Sequence, residues 1–520
     1  MVETKPVLEV KNVCKAFKDL VALDHVDFSI REGEIHGLLG ENGAGKTTLM
    51  NIIYGLYKAD EGEIHMNGQK VIMASPRDAI EHKIGMIHQH FTLVPAFTVL
   101  ENMILGMRRE GAPLSLGLKE EGDEILKLSE KFGLEIPLNA KVRDLPVGVQ
   151  QRVEISRALY RGAKILILDE PTANLVPHEV DKLFASLGTM VREGLTVVFI
   201  THKIREAMAV CSRITILKNG RVRGTLNVGD ATPEKLVAMM VGTEIDVSKS
   251  ILLGKSAQEI SLAHRSERPT LIVRSLRVVR EGTPAVEDCS FEVHGGEILG
   301  IAGVSGNGQK ELVDAIIGLR EAEKGDIIIN GKDTRNLSTF QILSTGVVYI
   351  PEDRIREGVL PLVTVAENLI LGRHRQDPFC ESKFVLNWKK ISDVSKELIS
   401  TYNIKTMDER ALAITLSGGN IQRLMLARAF SQPASLLIAH NPTRGLDIAS
   451  TDFVLKKLME YRNKGAAILW ISEDLDELLL LSDRICVIYR GEMVGMLERK
   501  NFDKHRIGLA MTGVERIENH

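Results

Sequence analysis

Two short segments of the sequence carry residue types that handle phosphate groups and a divalent cation. The first, Gly40-Glu-Asn-Gly-Ala-Gly-Lys-Thr47, lies between an apolar strand-like run and a helix-like run. Its glycines let backbone amides curl around phosphate oxygens, and the N-terminus of the following helix adds partial positive charge. In such a loop Lys46 reaches the terminal phosphates, and the Thr47 hydroxyl ligates a magnesium ion.

The second segment, ILILDE, is a short apolar run that ends in two carboxylates, Asp169 and Glu170. Asp169 at the strand end is suited to the coordination shell of a magnesium ion, and Glu170 can orient and deprotonate an attacking water molecule. By itself such an acidic pair is more often the solvated start of a loop. Its place downstream of the phosphate loop, with Pro171 and Thr172 following, favours phosphoryl chemistry.

The elements that must position these residues occur twice. EGEIHGLLGENGAGKTTLMNIIYGL returns as GGEILGIAGVSGNGQKELVDAIIGL, and Gly40 aligns with Gly303 at an offset of 263 (303 − 40). Further along, Pro171 aligns with Pro442 at an offset of 271 (442 − 171). A register held over this length indicates a tandem duplication.

Each half alternates apolar, β-branched runs with helical patterns, which is typical of α/β domains with parallel strands and crossover helices. We therefore predict two domains, at residues 6–242 and 269–513. The segment between them, residues 243–268, is polar and mixed in charge, and we predict that it is a linker.

The composition is that of a globular protein with an even charge balance. The chain has 520 residues, 44% hydrophobic and 26% charged, with 66 basic and 69 acidic residues and a net charge of −3. This balance indicates no nucleic-acid partner, no apolar run is long enough to span a bilayer, and the N-terminus lacks a signal-peptide pattern. The five cysteines show no CxxC pair or metal-ligand spacing. We predict that they are reduced and serve mostly in packing.

The phosphate loop, the acidic strand end and the duplication together resemble the ATP-binding cassette (ABC) ATPases, with two nucleotide-binding domains fused in one chain. The resemblance covers nearly the whole chain outside the linker and the extreme ends. It implies two tandem P-loop NTPase domains, each with a core mixed sheet and a helical subdomain. It also implies that ATP and Mg²⁺ bind.

The resemblance assigns roles to further residues. Phe17 matches the aromatic that stacks on adenine, although an isolated phenylalanine is ordinarily a core residue. Gln89 matches a glutamine that touches Mg²⁺ and water, and His202 matches a histidine that contacts the γ-phosphate. The implied catalytic residues are Glu170, His202 and Gln89, and the implied metal ligands are Thr47, Gln89 and Asp169. The implied nucleotide-binding residues are Phe17, Gly40, Asn42, Gly43, Gly45, Lys46, Thr47, Thr48, Ser417, Gly418, Gly419 and Asn420.

In the family that the chain resembles, each ATP site combines the phosphate loop of one domain with the LSGG[QN] loop of the other. The second half contains LSGGN at residues 416–420, and the first half has LPVGV at residues 145–149 in its place. The site built on the first phosphate loop therefore lacks nothing that the family pattern expects.

All departures from the family pattern fall on the other site. The replacements are Gln309 for the phosphate-loop lysine, Lys310 for the hydroxyl residue, His440 and Asn441 for the two acids, Glu473 for the histidine and Pro146 for the serine of the opposing loop. Random decay would damage both sites. We therefore expect one hydrolytic and one degenerate ATP site.

Fused pairs of such domains occur in importers of simple sugars and nucleosides and in ribosome-associated translation factors. The segments IGMIHQHFTLVPAFTVLENMILG, VGVQQRVEI and LLIAHNPTRGLD, including His90-Phe91 and Val147-Gly148, resemble the nucleoside branch more than the ribose or galactose branch. The resemblance therefore implies an ATPase subunit that energises nucleoside uptake. The alternatives are an importer of a simple sugar and a soluble ATPase without a transport role, such as a translation factor.

An importer of this kind implies integral membrane permease subunits as partners. The implied contact surface lies near Gln89 and along the helical segments around Thr92–Leu105 and Val363–Leu371. An extracytoplasmic substrate-binding protein would be linked indirectly, through the permease. We expect the chain to lie peripherally at the cytoplasmic face of the membrane.

Overall fold

The apolar runs ILILD and LLIAH form buried strands at matching places in two separate units of the chain. The units are Met1–Ser248 and Lys249–His520. This computed structural model describes residues 6–18, 20–89, 91–107, 118–173, 175–241, 251, 265–381 and 385–517. Most of the predicted linker, residues 243–250 and 252–264, lies outside these ranges, as does His90. No helix in the described part is both long and apolar enough to cross a membrane.

The first unit contains ten strands and eight helices among its described residues, numbered here in chain order. The strands are β1 Pro6–Phe17, β2 Leu20–Arg31, β3 Ile35–Leu39, β4 Glu61–Met66, β5 Gln69–Val71, β6 Ile84–Ile87, β7 Ile165–Asp169, β8 Thr196–Thr201, β9 Arg213–Lys218 and β10 Arg221–Asn227. The helices are α1 Lys46–Ile53, α2 Pro76–Glu81, α3 Val99–Ile104, α4 Leu118–Lys131, α5 Val147–Tyr160, α6 Pro177–Arg192, α7 Ile204–Val210 and α8 Pro233–Val241.

Two sheets build the first unit. An antiparallel sheet has the order β2-β1-β4-β5, and a mixed core sheet has the order β10-β9-β3-β8-β7-β6. Strands β9, β3, β8, β7 and β6 run parallel, and β10 is antiparallel to β9. Strands β3, β6, β7 and β8 are buried along their whole length, as expected for parallel strands covered on both faces. Their carboxyl ends therefore meet at one edge of the sheet.

The second unit repeats this architecture. Its strands are β11 Pro269–Arg280, β12 Thr283–His294, β13 Ile298–Ala302, β14 Lys324–Ile329, β15 Lys332–Asp333, β16 Val347–Ile350, β17 Cys380–Glu381, β18 Val385–Leu386, β19 Leu436–His440, β20 Ala467–Ser472, β21 Arg484–Tyr489 and β22 Glu492–Glu498. Its helices are α9 Gln309–Ile316, α10 Thr339–Leu343, α11 Val365–Ile370, α12 Trp388–Thr401, α13 Gly418–Phe430, α14 Ile448–Asn463, α15 Leu475–Leu481 and α16 Lys504–Met511. The sheet orders are β12-β11-β14-β15 and β16-β19-β20-β13-β21-β22, with a small β17-β18 hairpin.

Each unit has a main core and a smaller helical core. In the first unit the main core joins the antiparallel sheet, α1 and the core sheet, and Leu8, Leu49 and Ile167 are among its fully buried members. A separate cluster that includes Val99, Ile125 and Val153 holds α3, α4 and α5 together. In the second unit the corresponding cores join β11, α9 and β19, and α11 with α12. The predicted α/β class, with a mixed sheet and a helical subdomain in each half, is confirmed.

A glycine pair after β13 allows a test of the phosphate-loop backbone in the second unit. Gly306 (φ 87°) and Gly308 (φ 99°) both adopt left-handed conformations, but a Cβ on Gly308 would lie 2.2 Å from the Ala285 carbonyl oxygen, whereas one on Gly306 meets nothing within 4 Å. We expect Gly306→Ala to cost about 1 kcal/mol of unfolding free energy, from the φ penalty alone. Gly308→Ala should cost about 2–4 kcal/mol, because the steric conflict adds to that penalty.

Denaturant unfolding followed by tryptophan fluorescence measures this difference, because both tryptophans, Trp388 and Trp470, belong to the second unit. Trp470 is fully buried and reports on the core directly. Equal destabilisation by the two substitutions would contradict the close approach at Gly308.

Candidate active site

The phosphate loop follows β3 and ends at the start of α1. A Cβ on Gly40 would lie 2.4 Å from the carbonyl oxygen of Leu217 in the neighbouring strand β9, so only glycine fits where the loop leaves the sheet. Gly45, at φ 103°, turns the chain into α1 and places Lys46 at the first helical position. The backbone amides of this helix N-terminus thus face the loop, as phosphate binding requires.

The Lys46 ammonium folds back onto the loop. Its Nζ donates to the carbonyl oxygens of Gly40 (2.6 Å) and Glu41 (3.0 Å), and the side chain is buried. Burial lowers the pKa of Lys46, and the nearby carboxylates of Glu170 and Asp169 partly offset this. The ammonium therefore occupies the loop interior, where a phosphate oxygen can replace the two carbonyls as its partner.

The residues expected to hold a metal ion are close together. The Thr47 hydroxyl donates to Asp169 Oδ2 at 3.2 Å, and Asp169 lies at the end of β7. Burial raises the pKa of Asp169, and the adjacent Glu170 charge adds to this, whereas the hydrogen bond from Thr47 opposes it. A divalent cation at this point would reverse the effect of burial. Hydroxyl and carboxylate oxygens are the ligands that Mg²⁺ prefers, so the residues fit the ion.

Glu170 lies directly after β7 and accepts hydrogen bonds from two further residues that the sequence predicts for the site. Its Oε1 accepts from His202 Nδ1 at 2.9 Å, and its Oε2 accepts from Gln89 Nε2 at 3.2 Å. The Glu170 backbone is left-handed (φ 47°), and its amide donates to Ile200 O in β8 at 3.0 Å. Such a conformation in a non-glycine residue stores strain and is concentrated at functional sites.

The charge state of Glu170 follows from these contacts. Burial alone would raise its pKa, but the hydrogen bond and charge of His202, together with Lys46, outweigh burial and hold the pKa below its usual value. The carboxylate is therefore ionised at neutral pH. An ionised carboxylate within hydrogen-bonding reach of solvent can accept a proton from water.

The remaining predicted nucleotide-binding residues of the first unit surround the loop. Phe17, the last residue of β1, is 40% exposed and packs edge-on against Tyr57 with ring centroids 5.3 Å apart. It is therefore a surface aromatic rather than a core residue. Asn42 and Gly43 lie on the exposed part of the loop, and Thr48 is half-buried in the first turn of α1.

In the second unit, the LSGGN segment forms the N-terminus of α13. Ser417 precedes the helix, and its hydroxyl accepts from Asn420 Nδ2 at 2.8 Å. Gly418 begins the helix, and a Cβ on Gly419 would meet nothing within 4 Å. The start of the helix at Gly419 is therefore open.

The matching helix start in the first unit is covered. Pro146 precedes α5 and supplies no capping hydroxyl. Gly148 corresponds to Gly419 (419 − 148 = 271), and a Cβ on it would lie 2.2 Å from Glu179 Oε1. A carboxylate from the same unit thus lies where the second unit leaves space.

The amide of Gln309 and the ammonium of Lys310, at the phosphate loop of the second unit, both have partners within that unit. Gln309 Nε2 donates to the carbonyl oxygen of Val304 at 3.0 Å, much as Lys46 does to its own loop. Lys310 forms an ion pair with Glu357 and lies 3.6 Å from Asp314. The loop cation of this unit is thus already paired with carboxylates.

The position that corresponds to Gln89 is Glu352 (352 − 89 = 263), and it anchors a second polar cluster. Glu352 Oε1 accepts from Asn441 Nδ2 at 3.1 Å and from Arg444 Nη1 at 2.7 Å, and His440 Nε2 lies 3.6 Å from Oε2. The residues that replaced the acids of ILILDE therefore bind a carboxylate instead of a cation.

Two hydrogen bonds that support the strand ends recur in both units, and none of the sequence motifs above predicts them. Gln151 Nε2 donates to Pro171 O at 2.6 Å, and Gln422 Nε2 donates to Pro442 O at 2.7 Å. The second bond joins Thr172 to Glu206 in one unit and Thr443 to Glu477 in the other. All four residue pairs differ by 271, so the repeat register was the signal that could have found them.

Comparisons with known proteins identify the relatives of this chain. A family profile described as ABC transporter matches residues 23–173 and 286–444. The chain is 40% identical to the glucose import ATP-binding protein TsgD13 of Haloferax volcanii, over 98% of this chain and 96% of that protein. It is 41% identical to the nucleoside import ATP-binding protein NupA of Lactococcus lactis, over 98% of each. It is 41% identical to the guanosine import ATP-binding protein NupO of Bacillus subtilis, over 98% of this chain and 97% of that protein.

The hydrogen bond between His202 and Glu170 predicts a pH effect. Glu170 has a depressed pKa, so activity that depends on its ionised form is lost only as the pH falls through that low value. His202→Ala removes the bond, and the acid limb of the pH–rate profile for ATP hydrolysis should move to higher pH. The maximal rate should also fall by about a hundredfold, as for other lost transition-state donors.

Rates of phosphate release measured across the acidic range check this expectation. The matched control is Glu473→Ala, which changes the corresponding position of the second unit (473 − 202 = 271) and should leave the acid limb unmoved. An unmoved limb in His202→Ala would show that this bond does not tune the pKa of Glu170.

Proposed function

Because this chain belongs to the ABC transporter family, we propose that it is the ATP-hydrolysing subunit of an importer that takes up nucleosides. The coarse assignment, an importer ATP-binding subunit, rests on relatives that match 98% of the chain. The cargo is the finer proposal. The observation that carries the catalytic part is the Glu170 carboxylate, held by His202 and Gln89 beside the phosphate loop.

Two relatives support the nucleoside cargo. These relatives are named for nucleoside import and guanosine import, and each is 41% identical to this chain. The nucleoside-like segments around Gln89, Val147 and Asn441 in this chain agree with them. A simple sugar is the second candidate, because a glucose importer subunit is 40% identical.

The proposed reaction is in-line hydrolysis of the γ-phosphate of ATP. The water oxygen forms a bond to the γ-phosphorus, the bond from that phosphorus to the bridging oxygen breaks, and a water proton passes to Glu170. Lys46 and the amides of the phosphate loop stabilise the charge on the transferred group, and His202 donates to it. When bound by Thr47, Asp169 and Gln89, Mg²⁺ supplies further charge neutralisation.

The polar clusters of the second unit support a single hydrolytic site. Lys310 is paired with Glu357, and Glu352 is paired with Arg444, so a nucleotide there would have to displace existing ion pairs. Glu179 covers the helix start at Gly148, whereas Gly419 is open. A nucleotide phosphate could therefore approach the backbone at Gly419, whereas at Gly148 it would first have to displace the Glu179 carboxylate.

Exposed apolar side chains support a membrane permease as partner. In the first unit, Phe97 and Leu105 are 40% and 44% exposed, and both lie in the implied contact segment. In the second unit, Leu362 is 76% exposed and Leu371 is 37% exposed, beside α11. Each pair flanks one short helix, α3 or α11, and exposed apolar side chains grouped in this way mark protein–protein contacts. We propose that the chain binds a permease at the cytoplasmic face of the membrane and that an extracytoplasmic binding protein delivers the cargo.

Uptake of labelled nucleosides and of labelled glucose or ribose tests the cargo. In cells that depend on this protein and its permease, Glu170→Gln should abolish nucleoside uptake, because the proton acceptor is lost while the shape of the side chain is kept. Loss of sugar uptake instead would assign the cargo to sugars and leave the hydrolytic mechanism in place. The matched control is Asn441→Gly, which keeps the left-handed backbone of the equivalent position (φ 46°) and should retain uptake.

The lysine positions of the two phosphate loops test the asymmetry. Lys46→Gln copies the residue found at position 309 into the first loop, and we expect ATP hydrolysis by the assembled complex to fall by about 10²–10³-fold. Gln309→Lys makes the reverse change in the second loop and should alter hydrolysis less than twofold, because the acids at 440 and 441 are still absent. Substantial hydrolysis by Lys46→Gln would refute a single hydrolytic site in the first unit.

A further inference from the structure

The antiparallel sheet of the first unit brings together three side chains of metal-ligand type that the function above does not use. Cys14 on β1, His25 on β2 and Glu61 on β4 each present a ligand atom, and the three atoms lie within 4.8 Å of one another. Among the described residues, no other group of three or more histidine, cysteine or acidic side chains has its ligand atoms this close together. Cys14 is half-buried, and His25 and Glu61 are exposed, so ions from solution can reach the group.

Strand pairing explains why these distant residues meet. Cys14 and Glu61 are direct cross-strand partners between β1 and β4. Between β1 and β2 the register shifts, because Val13 pairs with Val26 and Lys15 pairs with Leu23. Two residues of β2 therefore oppose one residue of β1, which is a β-bulge. A bulge redirects a side chain, and His25 takes up the irregularity with a left-handed φ of 51°.

The contacts of His25 and Cys14 prepare both for a metal. Asp24 Oδ1 lies 2.6 Å from His25 Nδ1, so Nδ1–H donates to the carboxylate and the Nε2 lone pair is left for a cation. A carboxylate behind a histidine in this way is the usual support for a zinc ligand. The His25 amide donates to Cys14 Sγ at 3.3 Å, which holds the sulfur beside the His25 backbone.

The second unit supplies an internal comparison. At the offset of 263, the equivalent residues are Arg277, Asp288 and Lys324, and Arg277 pairs with Lys324 across the strands as Cys14 pairs with Glu61. Two of these three side chains are cationic, and Arg277 instead lies 3.3 Å from Glu323. The fold therefore does not require ligand-type residues at these positions.

We propose that Cys14, His25 and Glu61 form a binding site for Zn²⁺ on the antiparallel sheet of the first unit. One thiolate, one imidazole and one carboxylate are a donor set that suits zinc, with water as the fourth ligand of a tetrahedral site. Ligand atoms around tetrahedral zinc lie roughly 3.3–3.8 Å apart. Side-chain rotations that move the ligand atoms by about 1 Å would therefore bring the three atoms to these distances. The bound ion would tie β1, β2 and β4 together.

Zinc titration of the full-length, reduced, nucleotide-free protein tests this site, with a chromophoric chelator as competitor. We expect one tight Zn²⁺ per chain, and Co²⁺ used as a probe should give a thiolate charge-transfer band. Cys14→Ser should abolish the band and weaken zinc binding by at least about tenfold. His25→Asn should weaken it similarly, and asparagine tolerates the left-handed backbone, so this variant is expected to fold.

The matched controls remove similar side chains outside the group. Cys380→Ser removes the other half-buried thiol, and His65→Asn removes a histidine of the same sheet that is bonded to Glu63. Both should bind zinc and cobalt like the unchanged protein. Tight binding that survives in both Cys14→Ser and His25→Asn, or the absence of tight binding in the unchanged protein, would overturn the proposal. The readout is independent of ATP hydrolysis and of uptake.

Discussion

The active site depends on the parallel alignment of four buried strands. β6, β7, β8 and β3 lie side by side, and the loop after each contributes one part of the site: Gln89, Glu170, His202 and the phosphate loop. Because both faces of these strands are packed, polar side chains reach solvent only where the strands end. Parallel strands bring all of those ends to one edge of the sheet, which is where α/β proteins bind ligands.

The duplicated unit shows which features belong to the fold and which to the chemistry. Glu170 and Asn441 have nearly the same left-handed φ, 47° and 46°. The amide of each donates to the neighbouring strand, at Ile200 O and Ile471 O. The second unit therefore keeps the backbone conformation of the strand end but lacks the carboxylate that Glu170 supplies in the first unit. Asparagine adopts this conformation more readily than glutamate, so the second unit holds the same turn with less strain.

Charge in the second unit is balanced internally rather than by a ligand. In the first unit the acids lie near Lys46, and the Lys46 ammonium donates to the carbonyl oxygens of Gly40 and Glu41. In the second unit a glutamate has replaced Gln89, and Glu352 and Glu357 neutralise Arg444 and Lys310. In the second unit the acidic side chains thus lie in the loop after β16 instead of at the end of β19. The cationic side chains of this edge are thus neutralised within the unit, and His440 Nδ1 is left buried without a hydrogen-bond partner among the described residues.

The duplication, the α/β class and the identities of the phosphate-loop and strand-end residues can all be predicted from the sequence. These depend on local spacing, such as the apolar run before Asp169, which any reading along the chain can detect. Which side chains come into contact follows from the tertiary structure and could not be predicted in the same way. The hydrogen bond between His202 and Glu170, the contact of the Glu179 carboxylate with a helix start, and the approach of His25 to the Cys14 thiol each join residues on different secondary-structure elements. Their geometry arises from strand order, a β-bulge and backbone torsions, and no short pattern of residues encodes those distances.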